Sequence, residues 1–289
     1  MEMSASKTAA VSGGQIEYTL AGEGPAVLVS HGTLGGYDQA LAISHLFNRN
    51  KFRFVLVSRA GYLRSSSGIG QTSQQQARSF AELLDREGIA TAAVVGLSGG
   101  APAAIRFAQD FSDRCWSLVL LSAIVAAPEP MPAFFRIMIR FQDVMMRIDP
   151  LWRLVYKYGL AQLVRSNGLT PEQTNKILQD AYLRRVVQGI YWPITNASQR
   201  RAGVRLDHQQ LNMLPDKPNY ALKVPTFIGH AANDPLAPVA QAKRLATSLS
   251  KPEYEEFLDG GHLFFVVHSK QLVPRIEMFL AAHAPNSLD

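Results

Sequence analysis

The tightest constraint on the fold is a five-residue stretch, Gly96-Leu97-Ser98-Gly99-Gly100. An apolar run from Thr91 to Val95 leads into it, and a small-residue, helix-compatible run from Ala101 to Ala108 follows. A small-x-Ser-x-small pattern between a strand and a helix describes a very tight turn. The positions two before and two after the serine then have almost no room for a side chain. Gly96 and Gly100 meet that need. The helix that follows starts with main-chain N–H groups lacking internal acceptors, that of Gly99 among them. Taken alone, the pattern is also that of a glycine-rich turn whose serine caps a helix. The flanking sequence decides between the two.

That flanking sequence has a strand–helix rhythm. Gln15 to Leu20 alternates and reads as an edge strand. Apolar runs at 26–30, 52–58, 92–95 and 117–122 read as buried strands, with helix-like segments at 40–47, at 74–87 and after Gly100. Parallel strands are covered on both faces and so read as continuous apolar runs. The rhythm stops at Ala126. The chain then turns helical in pattern at 134–148, 151–164 and 171–187, and more weakly at 207–214. It resumes with a strand at 225–229, a helix at 239–248, a strand at 254–258 and a helix at 271–282. The expectation is an α/β protein with a mostly parallel, doubly wound sheet. Residues 1–125 and 223–289 form its core and 126–222 an inserted helical lid over the carboxyl edge of the sheet.

Composition narrows the function classes. The chain has 289 residues, of which 47% are hydrophobic and 18% charged, which suits one sizeable core. A single cysteine, Cys115, excludes an internal disulfide and reads as a small packed hydrophobe. One Cys and seven scattered His offer no metal site, and no cofactor motif appears. The start, Met1 to Ser12, is small and polar, with no leader-like apolar segment, and no apolar run is long enough to span a membrane. The expected location is the cytoplasm. Residues 126–222 hold 13 Lys and Arg against 7 Asp and Glu, an excess equal to the whole chain's +6, so the rest is neutral. Nucleic acid is not an expected partner, because no aromatic-basic motif accompanies the charge.

Serine is a poor nucleophile at neutral pH and needs a base, usually His, oriented by a carboxylate. After the helical stretch, a strand runs into a loop carrying Asp234. The next strand runs into Asp259-Gly260-Gly261-His262. Each candidate sits just past the carboxyl end of its strand, where open parallel sheets place their sites. Asp259 competes with Asp234 for the acid role but lies too close in sequence to reach the imidazole easily. His230 and His268 read as structural or exposed. A second donor to a developing oxyanion is expected from the loop after the 26–30 strand. The N–H of Thr33 is the first choice there and that of Leu34 the fallback, beside Gly99. His31 reads as a brace for that loop.

These features together resemble the α/β-hydrolase superfamily, over essentially the full length. The strand followed by His31-Gly32 is similar to the family's strand-His-Gly motif. Residues 58–65, Ser-Arg-Ala-Gly-Tyr-Leu-Arg-Ser, resemble its Arg/Asp-x-x-Gly-x-Gly-x-Ser loop, with Leu63 at the usual glycine. Gly96–Gly100 resembles its nucleophile elbow, and Asp234 and His262 fall at its acid and histidine positions. The resemblance implies a serine hydrolase working through a Ser98-His262-Asp234 triad and an acyl-enzyme. The Gly99 and Thr33 N–H groups would hold the oxyanion, and neither cofactor nor metal would be needed. The serine separates the chain from the superfamily's epoxide hydrolases and haloalkane dehalogenases, which use aspartate there.

The expected substrate is a small or medium, largely apolar ester or related carbonyl compound, as for a carboxylesterase (EC 3.1.1). Carbon–carbon bond hydrolysis or perhydrolysis by the same triad is the alternative among enzymes. A non-catalytic small-molecule receptor is the alternative outside them. The lid's positive excess suggests steering of carboxylate-bearing substrates or an arginine clamp, against the simpler reading of a solvated basic face. Its basic and apolar stretch 134–164 suggests contact with a membrane surface. The oligomeric state is not written in the sequence.

Overall fold

The computed structural model describes residues 5–127, 141–217 and 220–285. Eight strands form one sheet in the order β1-β2-β4-β3-β5-β6-β7-β8. They are β1 (Lys7–Val11), β2 (Gly14–Ala21), β3 (Ala26–Ser30), β4 (Arg53–Ser58), β5 (Ala92–Leu97), β6 (Cys115–Leu121), β7 (Thr226–Ala231) and β8 (Glu253–Phe257). The β1–β2 hairpin and the β2–β4 pair are antiparallel, and every pairing from β4 through β3 to β8 is parallel.

The pleat explains why the central strands are apolar throughout. Val27, Val29, Phe54, Leu56, Ala93, Val95, Val119 and Leu121 face one core layer. Ala26, Leu28, Val55, Val57, Ala92, Val94, Leu118 and Leu120 face the other. Alternate side chains therefore enter opposite cores, and both must be apolar. The first layer is completed by α1 (Tyr37–Ser44) and the C-terminal helix α9 (Ser269–His283). The second is completed by α2 (Ser73–Arg86), α3 (Ala101–Asp110) and α8 (Val239–Ser248).

Between β6 and β7 the described residues carry helices only: a helical turn at 141–145, then α4 (Asp149–Arg165), α5 (Pro171–Gln179), α6 (Ala181–Tyr191), a 3₁₀ stretch Trp192–Arg200 and α7 (Arg201–Leu211). The helical insertion follows the expected pattern with two differences. The stretch 171–187 is two helices, because Asp180 accepts hydrogen bonds from the N–H groups of Tyr182 (2.9 Å) and Leu183 (3.0 Å) and starts a new one. The weak segment at 207–214 belongs to a helix that begins earlier, at Arg201. The helix expected over 134–148 lies outside the described residues as far as 140.

One further difference lies at the N-terminus. The strand at 14–21 is not the edge, because Lys7–Val11 pairs outside it through a turn at Gly13, whose φ of 88° suits glycine. An outer strand exposed on both faces carries no apolar run, so the signal is faint.

No helix of the described residues is long and apolar enough to cross a membrane. The order of strands reverses at β3, whose neighbours are β4 and β5. Ligand sites of open α/β sheets form at such a switch, outside the carboxyl ends of the strands.

Candidate active site

Ser98 stands at the end of β5 with φ of 47°, a left-handed conformation costly for a residue with a Cβ. The flanking glycines have the reason expected of them. A Cβ on Gly96 would come within 2.8 Å of Ala104 Cβ and 2.9 Å of Ala101 Cα. A Cβ on Gly100 would collide with the carbonyl oxygens of Ser30 and His31. The turn exists because β5 and α3 approach each other, and α3 and the end of β3, too closely for side chains.

His262 arrives on a loop that follows β8 through Gly260 (φ 99°) and Gly261 (φ 53°). Its main chain is held at both groups. The N–H donates to Asn167 O at 2.8 Å, and the carbonyl accepts from Ser122 Oγ at 3.0 Å. Its Nδ1 lies 2.8 Å from Asp234 Oδ2 and 3.0 Å from Oδ1. With Nδ1–H directed at that carboxylate, Nε2 is the nitrogen free to take a proton.

Asp234 Oδ1 also accepts the N–H groups of Leu236 (2.9 Å) and Ala237 (3.0 Å). Burial alone would raise its pKa. The hydrogen bond and charge of His262, with the two N–H groups, outweigh burial and hold the carboxyl below its ordinary value. Asp234 therefore remains ionised against the imidazole.

The rival carboxylate, Asp259, is turned away and bonds His268 Nε2 at 2.8 Å. His230 is buried behind Asp234, with Nε2 2.8 Å from Ala237 O, and burial pushes its pKa down. Cys115 is a buried thiol whose pKa burial pushes up to about 12.

The loop after β3 supplies the opposite wall. Its main-chain N–H groups can be accounted for one by one. Gly32 N–H donates to Gln39 Oε1 (3.1 Å), Leu34 N–H to the Tyr62 hydroxyl (3.3 Å), and Gly35 N–H to Gly32 O (3.1 Å). Among the described residues the N–H of Thr33 has no protein acceptor. It also lies beside the elbow, since a Cβ on Gly99 would come 3.5 Å from Thr33 N. Leu34 therefore has its N–H engaged elsewhere, whereas that of Thr33 is left without a protein acceptor. His31 braces this loop. Its Nδ1 lies 2.7 Å from Gly32 O, and its Nε2 accepts Arg59 N–H at 3.0 Å. Burial, then the Arg59 charge, lowers its pKa well below the usual histidine value, so it is neutral.

Ser98, His262, Gly32, Thr33 and Leu34 share one cavity of about 420 Å³, with Ile43, Trp152, Leu163, Ile190, Tyr191 and Phe265 among its other walls. Among the described residues its lining holds no Lys, Arg, Asp or Glu. None of the insertion's described arginines lines the cavity. Three of the insertion's cations have other partners: Arg200 pairs with Asp38 (2.6 Å), and Arg201 and Arg205 share Asp143 (2.9 and 2.6 Å). Among the described residues four non-glycine residues have positive φ, and three of them, Leu34, Ser98 and Ser122, line this same cavity. Strain of this kind concentrates where geometry is functional. The fourth, Leu63, takes φ of 52° at the position where glycine was expected, so the side chain is accommodated in a left-handed turn.

Sequence reasoning missed one group at this site. Asp207 of α7 is 2% exposed and accepts from Arg59 (2.5 and 2.6 Å), the Tyr62 hydroxyl (2.6 Å) and Thr33 Oγ1 (2.9 Å). Its available signal is positional. Asp207 is buried together with Gly203, Val204 and Gln210, one helix stripe, so a charge sits where an apolar residue is ordinary.

A family model described as alpha/beta hydrolase fold matches residues 25–269, and the chain belongs to that family of hydrolase-type enzymes. It is similar to the alpha/beta hydrolase fold protein from Nakamurella multipartita, with TM-score 0.82 and 25% identity over 96% of this chain and 99% of that one. Among curated relatives, it is 31% identical over 118 residues to the uncharacterized hydrolase YcgS of Bacillus subtilis (strain 168), a match that spans 41% of each chain. It is 24% identical to the pyrrolizixenacetamide deacetylase of Xenorhabdus hominickii over 93% of this chain and 96% of that one.

Proposed function

We propose that this chain is a serine hydrolase of small or medium, uncharged and largely apolar esters, carboxylesterase-like in its chemistry. The observation that carries the proposal is the shared apolar cavity: Ser98 and His262 both line it, and His262 Nδ1 is held by an ionised Asp234. His262 Nε2 takes the Ser98 proton as Oγ attacks the carbonyl carbon. The negative charge that develops on the carbonyl oxygen is received by the N–H groups of Gly99 and Thr33. The same imidazole then gives its proton to the leaving alcohol. Water, activated by His262 in turn, releases the acid and regenerates Ser98. In this reading residues 126–222 are a lid whose α4 and α6 close the cavity from above. The lining formed by the described residues is uncharged, and it disfavours carboxylate-bearing substrates, since an unpaired charge there would be desolvated without a partner.

An acyl-enzyme serves an amide as well as an ester, and the Xenorhabdus relative is named as a deacetylase. The substrate panel is therefore a series of p-nitrophenyl esters and matched anilides of increasing acyl length. The expected outcome is turnover of the esters, with covalent labelling of Ser98 by a fluorophosphonate. Ser98→Ala should lose about five to six orders of magnitude in kcat, as for other serine nucleophiles. Folded protein that is neither labelled nor active on the panel, yet binds panel members, would instead be a receptor.

A further inference from the structure

Resting on the serine-hydrolase reading above, we infer that Asp207, a residue of the helical insertion, is a positioning residue that aims the Thr33 N–H at the reacting oxygen. A peptide N–H can stabilise an oxyanion only if it is fixed before the charge appears. The β3 loop has little of its own to fix it, because Gly32, Gly35 and Gly36 surround Thr33 and Leu34. The fixing comes from outside. The Thr33 hydroxyl has one proton, and it lies 2.9 Å from Asp207 Oδ2, an atom that can only accept. That proton is committed to the carboxylate, so the hydroxyl does not itself serve the oxyanion.

Asp207 is in turn immobilised. Arg59 grips both its oxygens, at 2.5 and 2.6 Å, and Tyr62 donates to Oδ2 at 2.6 Å while its own oxygen accepts Leu34 N–H. Thr33 and Leu34 are thus tied, one through its side chain and one through its main chain, to the same buried carboxylate cluster. A bare carboxylate so near an oxyanion would oppose catalysis, since Gly99 would place a Cβ 3.6 Å from Oδ2. The bidentate Arg59 cancels that charge and leaves the geometry.

The test is Thr33→Val, which deletes the hydroxyl and keeps both the shape and the N–H. Its kcat on a p-nitrophenyl ester should fall about tenfold or more with KM within about twofold, since a misplaced oxyanion donor is felt in the transition state. Affinity for a trifluoromethyl ketone, whose adduct carries the oxyanion, should weaken by the same factor. Thr33→Ser should restore both to within about threefold. Tyr62→Phe should give the same paired loss on a smaller scale, and it carries the test if Thr33→Val does not fold. Turnover of Thr33→Val within about twofold of wild type, or a loss confined to KM with ketone affinity intact, overturns the role. Fluorophosphonate labelling of the wild type reports on the serine mechanism separately. If the wild type labels at Ser98 while Thr33→Val matches it, only the positioning role falls. If the wild type neither labels nor turns over, the mechanism falls and takes the role with it.

Discussion

The two loops that flank Ser98 are both held by the helical insertion, but by opposite means. The β3 loop is held through buried charge: Asp207, paired with Arg59, reaches Thr33, while Arg200, fully buried, pairs with Asp38 and donates to Gly35 O at 2.5 Å. The β8 loop is held through neutral contacts of the main chain. Asn167 O accepts His262 N–H, and Asn233 bridges Gly261 N–H (2.9 Å) and Gly168 O (3.1 Å). The difference concerns which perturbation each end tolerates. A charge lattice fails when one member is deleted, because the remaining charge is left buried and unpaired. A main-chain clasp fails when a Cβ is added, because backbones can no longer approach.

The largest effect should come from breaking the charge lattice. Asp207→Ala leaves Arg59 uncompensated at 1% exposure and should cost about 3–5 kcal/mol of stability, roughly 10 °C in Tm. Replacing both partners, Arg59→Met with Asp207→Leu, should cost clearly less than Asp207→Ala alone, as read by urea unfolding. Equal costs for the single and double variants would mean that an unpaired buried Arg59 charge is not what destabilises Asp207→Ala.

Acid should strain the same end next. His31 has a pKa well below the ordinary 6.5, so the unfolded chain takes up a proton that the folded protein refuses. Stability is therefore full above 6.5 and falls as pH drops below it, until the folded-state pKa is reached. The slope is at most about 1.4 kcal/mol per pH unit for this one histidine. His45, held at about 4, and His230 add to the same limb. His31→Asn should flatten the slope of unfolding free energy against pH between 6.5 and 5. An unchanged slope would remove His31 as its source.

The contrast between the two ends also explains how much could be read from the sequence. The sheet was legible because parallel strands buried on both faces must be apolar without a break, as 26–30 and 92–97 are. Ser98, Asp234 and His262 could be named as candidates because each lies just past the end of a strand, although β8 is a partly exposed edge strand, and a strand end needs no partner to be recognised. Asp207 could not. It bonds a residue 174 positions away, and alone it looks like one more charge on a helix. Charge counting is blind in the same way: Arg200, Arg201 and Arg205 enter the insertion's positive excess, but the count says nothing of Asp38 and Asp143, which pair with them. Asn167 contributes through its carbonyl oxygen, a group every residue has, so no residue type could announce it. The strand at 7–11 was faint because its outer position exposes most of it.

At the β8 loop the sharper perturbation is steric. Gly261 has φ of 53°, and a Cβ there would collide with Asn167 O, the atom that accepts His262 N–H. Gly261→Ala should cost about 1–3 kcal/mol in stability. It should also lower kcat more than Asn233→Ala does, since it displaces the imidazole's own main chain. A Gly261→Ala variant with wild-type kcat would show that the clasp does not position His262.

The smallest effect separates the strain at this end from the hydrogen bond that accompanies it. Ser122 combines φ of 46° with an Oγ that donates to His262 O at 3.0 Å. Ser122→Ala deletes the bond and keeps the strained backbone, and should cost about 1 kcal/mol. Ser122→Gly deletes the same bond but frees the backbone from a left-handed penalty of about 1–2 kcal/mol, against which glycine's extra unfolded-state entropy sets about 0.5–1. The glycine variant should therefore be no less stable than the alanine variant. Turnover should change by no more than about threefold in either, because Asn167 still holds the His262 N–H. A glycine variant less stable than the alanine by more than about 1 kcal/mol would mean that the turn is favoured by its surroundings rather than imposed on Ser122.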